Sequence, residues 1–206
     1  MEHLFGRRRF LERTALVAGG LAGGFLLSSG SESRSLAPAS AKATVGEQEK
    51  PTQSAEEQLK ALKIELPVIP KAAGSLIVPC VRTGDLLFVS GHTPVGPDGK
   101  SIVGKLGQDM DVKQGAEAAR IVALRILSVV RAELGSLDRV VKVVKALGMV
   151  NCTPDFTQSP AVVNGFSELL IQVFGEAAGK AARSAVGMAS LPGGVPVEVE
   201  VILQVK

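Results

Sequence analysis

Near the C-terminal end one arginine and a pair of glutamates have side chains that could carry chemistry. Arg183 follows the small-residue stretch Gly179-Lys180-Ala181-Ala182 and opens an extended run. A guanidinium there can grip a carboxylate through two parallel hydrogen bonds, which lysine cannot copy. Taken alone, an arginine at a strand start is more often a solvated surface residue. Glu198 and Glu200 alternate with Val197, Val199 and Val201. They are either a polar strand face making ion pairs or the source of a base. A carboxylate so placed can orient water and take its proton. His92 can donate to a ligand or titrate near neutrality, although a histidine at a strand end is more often structural. Cys80 and Cys152 sit in no nucleophile motif and read as unpaired core thiols, with a disulfide the lesser alternative.

Composition removes several other classes of function. The chain has 206 residues, 46% of them hydrophobic and 21% charged, so it can build a sizeable core. It has no Trp, no Tyr and seven Phe, a poor supply of stacking platforms for single-stranded nucleic acid. Two Cys and two His leave little for a four-ligand zinc site, so no metal is expected. Of 23 Lys+Arg and 20 Asp+Glu, six and three lie in residues 1–43, which leaves 17 of each sign beyond. The net charge of +3 therefore belongs to the first 43 residues, and the remainder has no net field to collect phosphates. No nucleic-acid partner is expected.

The elements that must position these residues follow from pattern. Leu76–Val81 and Leu86–Ser90 read as strands joined across Arg82-Thr83-Gly84-Asp85. Pro97-Asp98-Gly99 is a turn, with a brief strand near 101–103. Asp111 and Gln114 form a capping box for a helix whose stripe runs through Ala116, Ala119, Ala123, Ile126, Leu127, Val130 and Leu134, and Gly135 stops it. Val140–Val150 is a central strand. A second helix begins with Ser159 as cap and Pro160 at its first position, ending near Phe174-Gly175. Ser184–Ala189 and Val195–Val205 close the chain around the Pro192-Gly193-Gly194 turn. In the last strand Val197, Val199, Val201 and Leu203 face one way, and Glu198, Glu200 and Ile202 the other. The order β-β-(β)-α-β-α-β-β is an α+β layer fold with helices on one face of a mixed sheet. The opposite face is either wet or buried against another subunit.

Three regions are expected. Residues 44–61 read as a linker with a short helix over 55–64, and residues 62–206 form the folded domain. Residues 1–43 have the order of an export signal: a basic start, an uncharged run from Thr14 to Gly30, and small-x-small sites such as Ala39-Ser40-Ala41. Arg7, Arg8, Arg9, Phe10 and Leu11 resemble the twin-arginine export motif, with Glu12 where lysine is usual. This implies an exported protein, periplasmic or extracellular, that meets the membrane only in transit. An organellar transit peptide is the alternative, against which stand the three acids. The run is short and only mildly apolar for a permanent span.

Ser90-Gly91-His92-Thr93-Pro94-Val95, Val150-Asn151 with Asp155-Phe156, Asn164, Ala182-Arg183-Ser184, Leu191-Pro192 and Val197-Glu198-Val199-Glu200 together resemble the Rid family of reactive intermediate deaminases, also called endoribonuclease L-PSP-like. The resemblance implies a chorismate-mutase-like fold, a homotrimer with clefts between subunits, and cofactor-free hydrolysis of 2-imino or enamino acids to 2-oxo acids and ammonia. A non-catalytic trimer of the same fold that binds small carboxylates is the other expectation. By the same resemblance Arg183 grips the substrate carboxylate and Glu198 positions water. Ser90, Gly91 and Asn164 match pocket or framework positions. The chain departs from the pattern at Ala185, where cysteine is frequent, at His92, where Gln or Asn is usual, and at Ile77, nearest to a pocket-closing aromatic.

Overall fold

The computed structural model describes residues 53–70 and 74–206. The export signal expected over 1–43 lies outside the described residues. In chain order the elements are α1 (Ala55–Ala61), β1 (Cys80–Thr83), β2 (Leu86–His92), α2 (Val112–Leu134), β3 (Val140–Asn151), α3 (Ser159–Gly179), β4 (Ala182–Met188) and β5 (Val197–Val205). The strands form one sheet ordered β1-β2-β5-β3-β4. All neighbours are antiparallel except β3 and β4, which run parallel with α3 as their crossover. This is the expected α+β layer fold.

Helix α2 forms as its end signals require. Asp111 Oδ1 accepts from the Gln114 amide at 2.8 Å, and Gln114 Oε1 accepts from the Asp111 amide at 2.9 Å. Gly135 caps the far end at φ 82°, a left-handed conformation that glycine adopts without strain. Ala119, Ala123, Ile126, Leu127, Val130 and Leu134 are buried. Ala116 is half-buried because it meets α3: a Cβ at Gly165 would overlap the Ala116 carbonyl, so the two helices cross at backbone contact. Val163 of α3 stands over Gly148 of β3, where no side chain could be accommodated without displacing it. That contact sets α3 against the β3–β4 side of the sheet.

Four local expectations are corrected. The first strand begins at Cys80 rather than Leu76. Pro79 has no N–H to give a ladder, and the Ser75 hydroxyl brackets Ile77, accepting from its amide at 3.2 Å and donating to its carbonyl at 2.9 Å. The brief strand near 101–103 is reduced to a single bridge between Val95 and Ser101. The cap of α3 is Gln158, without a side-chain bond; Ser159 is already helical and buried. Past Phe174 the chain does not stop but kinks at Gly175 (φ 75°) and completes another turn to Gly179.

The short helix α1 belongs to the core rather than to a free linker. Leu59 is buried, and Glu56 Oε1 accepts from the Leu137 amide at 3.1 Å while the Glu56 amide donates to Asp138 Oδ1 at 3.1 Å. The core lies between the helices and one sheet face, built from Leu87, Val89, Val143, Ala146, Val150 and the odd positions of β5 from Val197 to Val205. Among the described residues no helix covers the other face. It carries Glu198, Glu200 and Ile202 of β5 with Leu147 and Met149 of β3 and Ser184 and Val186 of β4, and Phe88 and Val186 are each 41% exposed. Among the described residues no helix is long and apolar enough to cross a membrane.

Candidate functional site

The singled-out residues fall into two groups. Arg183, Ala185 and Asn164 form the first. Arg183 pairs with Ala146 and Ala185 with Gly148, both positions turned toward the helices, so both β4 side chains lie under α3. The Arg183 guanidinium donates through Nη1 to Asn164 Oδ1 at 2.9 Å and to Ser167 Oγ at 3.0 Å, and through Nη2 to the Pro160 carbonyl at 3.3 Å. All three acceptors are neutral. No carboxylate among the described residues forms an ion pair with Arg183. The arrangement orients the cation without neutralising it. Nε–H and one Nη2–H remain for an anion, from the five N–H donors a guanidinium carries.

Ser90, Gly91 and Glu198 form the second group. Between Val89 and His92 two residues of β2, Ser90 and Gly91, face the single residue Glu200 of β5, a β-bulge. The Ser90 hydroxyl donates to the Val78 carbonyl at 2.7 Å, and the Ser90 amide donates to the Pro79 carbonyl at 3.0 Å. These bonds fix the bulge against the segment that holds Ile77. The Glu198 carboxylate lies on Gly91 so closely that a Cβ there would overlap it. Burial pushes the Glu198 pKa up, and the like charge of Glu200 pushes it further. Its carboxylate is thereby a stronger base than an exposed one.

His92 joins neither group. Its register partner is Val199, on the helix-covered side. Its Nδ1 bonds the Ser90 carbonyl at 2.7 Å. Burial lowers its pKa, the Ser90 bond opposes this, and the Arg125 charge adds to the lowering, so the ring is neutral near pH 7. Cys80 and Cys152 are unpaired. Burial and the Glu133 carboxylate push the Cys80 thiol up to about 11, which removes it as a nucleophile near neutrality. Among the described residues no cluster of three or more His, Cys, Asp or Glu could hold a metal ion.

The two groups of one chain do not converge. Glu198 pairs with Met149, and Met149 with Val186, whereas Arg183 pairs with Ala146. Position 186 is three steps along the strand from position 183, an odd number, so Arg183 and Glu198 project from opposite faces. They are also about 10 Å apart along the strands and two strand spacings across. Sequence reasoning missed Ser167 and the Pro160 carbonyl. Ser167 lies three residues after Asn164, the spacing that shares a helix face, and that was the available signal.

The fold defines a class, and comparison with known proteins agrees. Residues 56–193 match the family described as "YjgF/chorismate_mutase-like, putative endoribonuclease", and the chain belongs to that family. It is similar to Protein TCP17 of Trypanosoma cruzi, 43% identical over 146 residues, covering 71% of this chain and 91% of that protein. Among solved structures it resembles a protein of unknown function from Agrobacterium tumefaciens at TM-score 0.66 and 38% identity, covering 74% of this chain and 94% of the other. It also resembles an endoribonuclease-like protein from Shewanella oneidensis at TM-score 0.69 and 27% identity, covering 74% and 100%.

Proposed function

We propose that this protein hydrolyses 2-imino or enamino acids to 2-oxo acids and ammonia, without a cofactor. The reading rests on one observation above the others: a guanidinium held by three neutral oxygens, with no carboxylate partner among the described residues and two donors beyond those three bonds. A substrate carboxylate supplies the missing charge. Water then adds to the carbon of the protonated C=N group while Glu198 takes one of its protons, which gives a neutral carbinolamine. Glu198 returns that proton to the amino nitrogen, the C–N bond breaks as the hydroxyl oxygen re-forms C=O, and the hydroxyl proton leaves with ammonia as ammonium.

Because Arg183 and Glu198 of one chain face apart, the reading requires a second copy. We place each site between neighbours of a homotrimer, with Arg183, Asn164 and Ala185 from one chain and Ser90, Gly91 and Glu198 from the next. The sheet face left without helices, with Phe88, Leu147, Met149, Val186 and Ile202, is the surface such an assembly would cover. The charge balance of residues 44–206 disfavours RNA as the substrate.

The test is ammonia release from freshly generated 2-iminobutyrate. Wild-type protein should release it, and Arg183→Lys should lose roughly 2–3 kcal/mol of transition-state binding, the scale of a charged hydrogen bond. Hydrolysis unaffected by Arg183→Lys would sink the assignment. No hydrolysis, with Arg183-dependent binding of 2-oxobutyrate, would make the protein a carboxylate-binding trimer instead.

A further inference from the structure

We infer that Ser167 is a positioning residue for Arg183, its hydroxyl and the Asn164 amide oxygen together occupying both Nη1 hydrogens so that the guanidinium is held at one rotation about its long side chain. The consequence for substrate rests on the carboxylate-binding reading above; the positioning itself does not.

Asn164 and Ser167 are three residues apart on α3 and converge on one nitrogen. They are not equivalent restraints. In the single chain Asn164 is exposed, and there its bond to Arg183 is open to water, which can replace either partner. Ser167 is half-buried, and its bond is sheltered. A hydrogen bond that water cannot easily replace restrains more than one it can. The Pro160 carbonyl at 3.3 Å is the longest of the three contacts. Ser167 is therefore the acceptor on which the orientation of the cation chiefly depends.

A helix-building role would leave a different trace. Alanine is a better helix former than serine, so Ser167→Ala should not weaken α3. What it removes is the acceptor. The guanidinium then keeps its charge but gains rotational freedom, and a receptor that must be ordered by its ligand binds less tightly.

The experiment uses the full chain carrying isotope-labelled arginine, as wild type, Ser167→Ala and Ser167→Thr. Wild-type Arg183 should show hindered guanidinium rotation, with separate Nη proton signals by NMR. Ser167→Ala should merge them, and Ser167→Thr, which restores the hydroxyl, should keep them apart. Binding of 2-oxobutyrate should weaken roughly tenfold in Ser167→Ala and recover in Ser167→Thr. Arg183 signals unchanged by Ser167→Ala would overturn the inference, as would equal effects of the alanine and threonine variants. Signals that respond as described in a protein that binds no 2-oxobutyrate would uphold the positioning role and overturn the carboxylate reading.

Discussion

Gly91 and Glu198 share one space: the carboxylate of Glu198 lies where a side chain at position 91 would begin. The glycine is required for this approach and not for its backbone angle, since its φ lies outside the left-handed region, and the atoms in the way belong to a flexible side chain rather than to the main chain. Gly91→Ala should therefore fold, because the glutamate can swing aside at little cost. On the proposed mechanism it should lose at least tenfold in imine hydrolysis, about 1.4 kcal/mol, since the Glu198 carboxylate no longer sits where it takes the proton from the attacking water. Thermal denaturation and steady-state hydrolysis measured on the same sample decide this. A Gly91→Ala protein with normal turnover would mean that the position of Glu198 is immaterial.

Glu198 protonates at a higher pH in the folded chain than in the unfolded one, through burial and through Glu200. Its negative charge thus costs stability at neutral pH, and that cost is lifted as pH falls through the folded value. Glu200→Gln removes the like charge and should move the acid limb of the hydrolysis profile to lower pH. Glu198→Gln should abolish that limb and raise Tm at pH 7. An acid limb that stays put or moves upward in Glu200→Gln would remove Glu198 as its origin.

The opposite-face placement of Arg183 and Glu198 permits a complementation test. Arg183→Lys and Glu198→Gln proteins, each weakly active alone, should regain activity when unfolded together and refolded. Mixed assemblies then contain interfaces in which an intact Arg183 of one copy meets an intact Glu198 of another. Light scattering at micromolar concentration should give the mass of a trimer for each. A mixture no more active than the average of its components would place both residues in one chain's site or in none.

How much of this was legible in the sequence depends on how local the determining contacts are. Both ends of α2 were legible because Asp111, Gln114 and Gly135 act within one helical turn of themselves. The alternation along β5 was legible for the same reason, and it assigned the faces of Glu198 and Val197 from neighbours alone. The start of β1 was not, since Leu76–Val78 is as apolar as a strand and only Ser75 and Pro79 forbid the ladder. Arg183 and Glu198 were singled out through the family resemblance, since either alone reads as a surface residue. Their opposed faces were hidden, because these depend on the β5-β3-β4 order and on which β3 residue each strand meets. No spacing along the chain encodes that pairing.

The parallel pairing of β3 with β4 obliges the chain to return over the sheet, and α3 is that return. The three oxygens that hold Arg183 all belong to this helix. On the proposed carboxylate-binding reading, selectivity for an anion and correctness of strand register are consequently a single variable. A slip of β4 by one residue would bring Ser184 beneath α3 and turn the guanidinium onto the face that carries Glu198 and Glu200. There a carboxylate of its own chain would neutralise it, so a misregistered molecule would be silent toward anions rather than promiscuous.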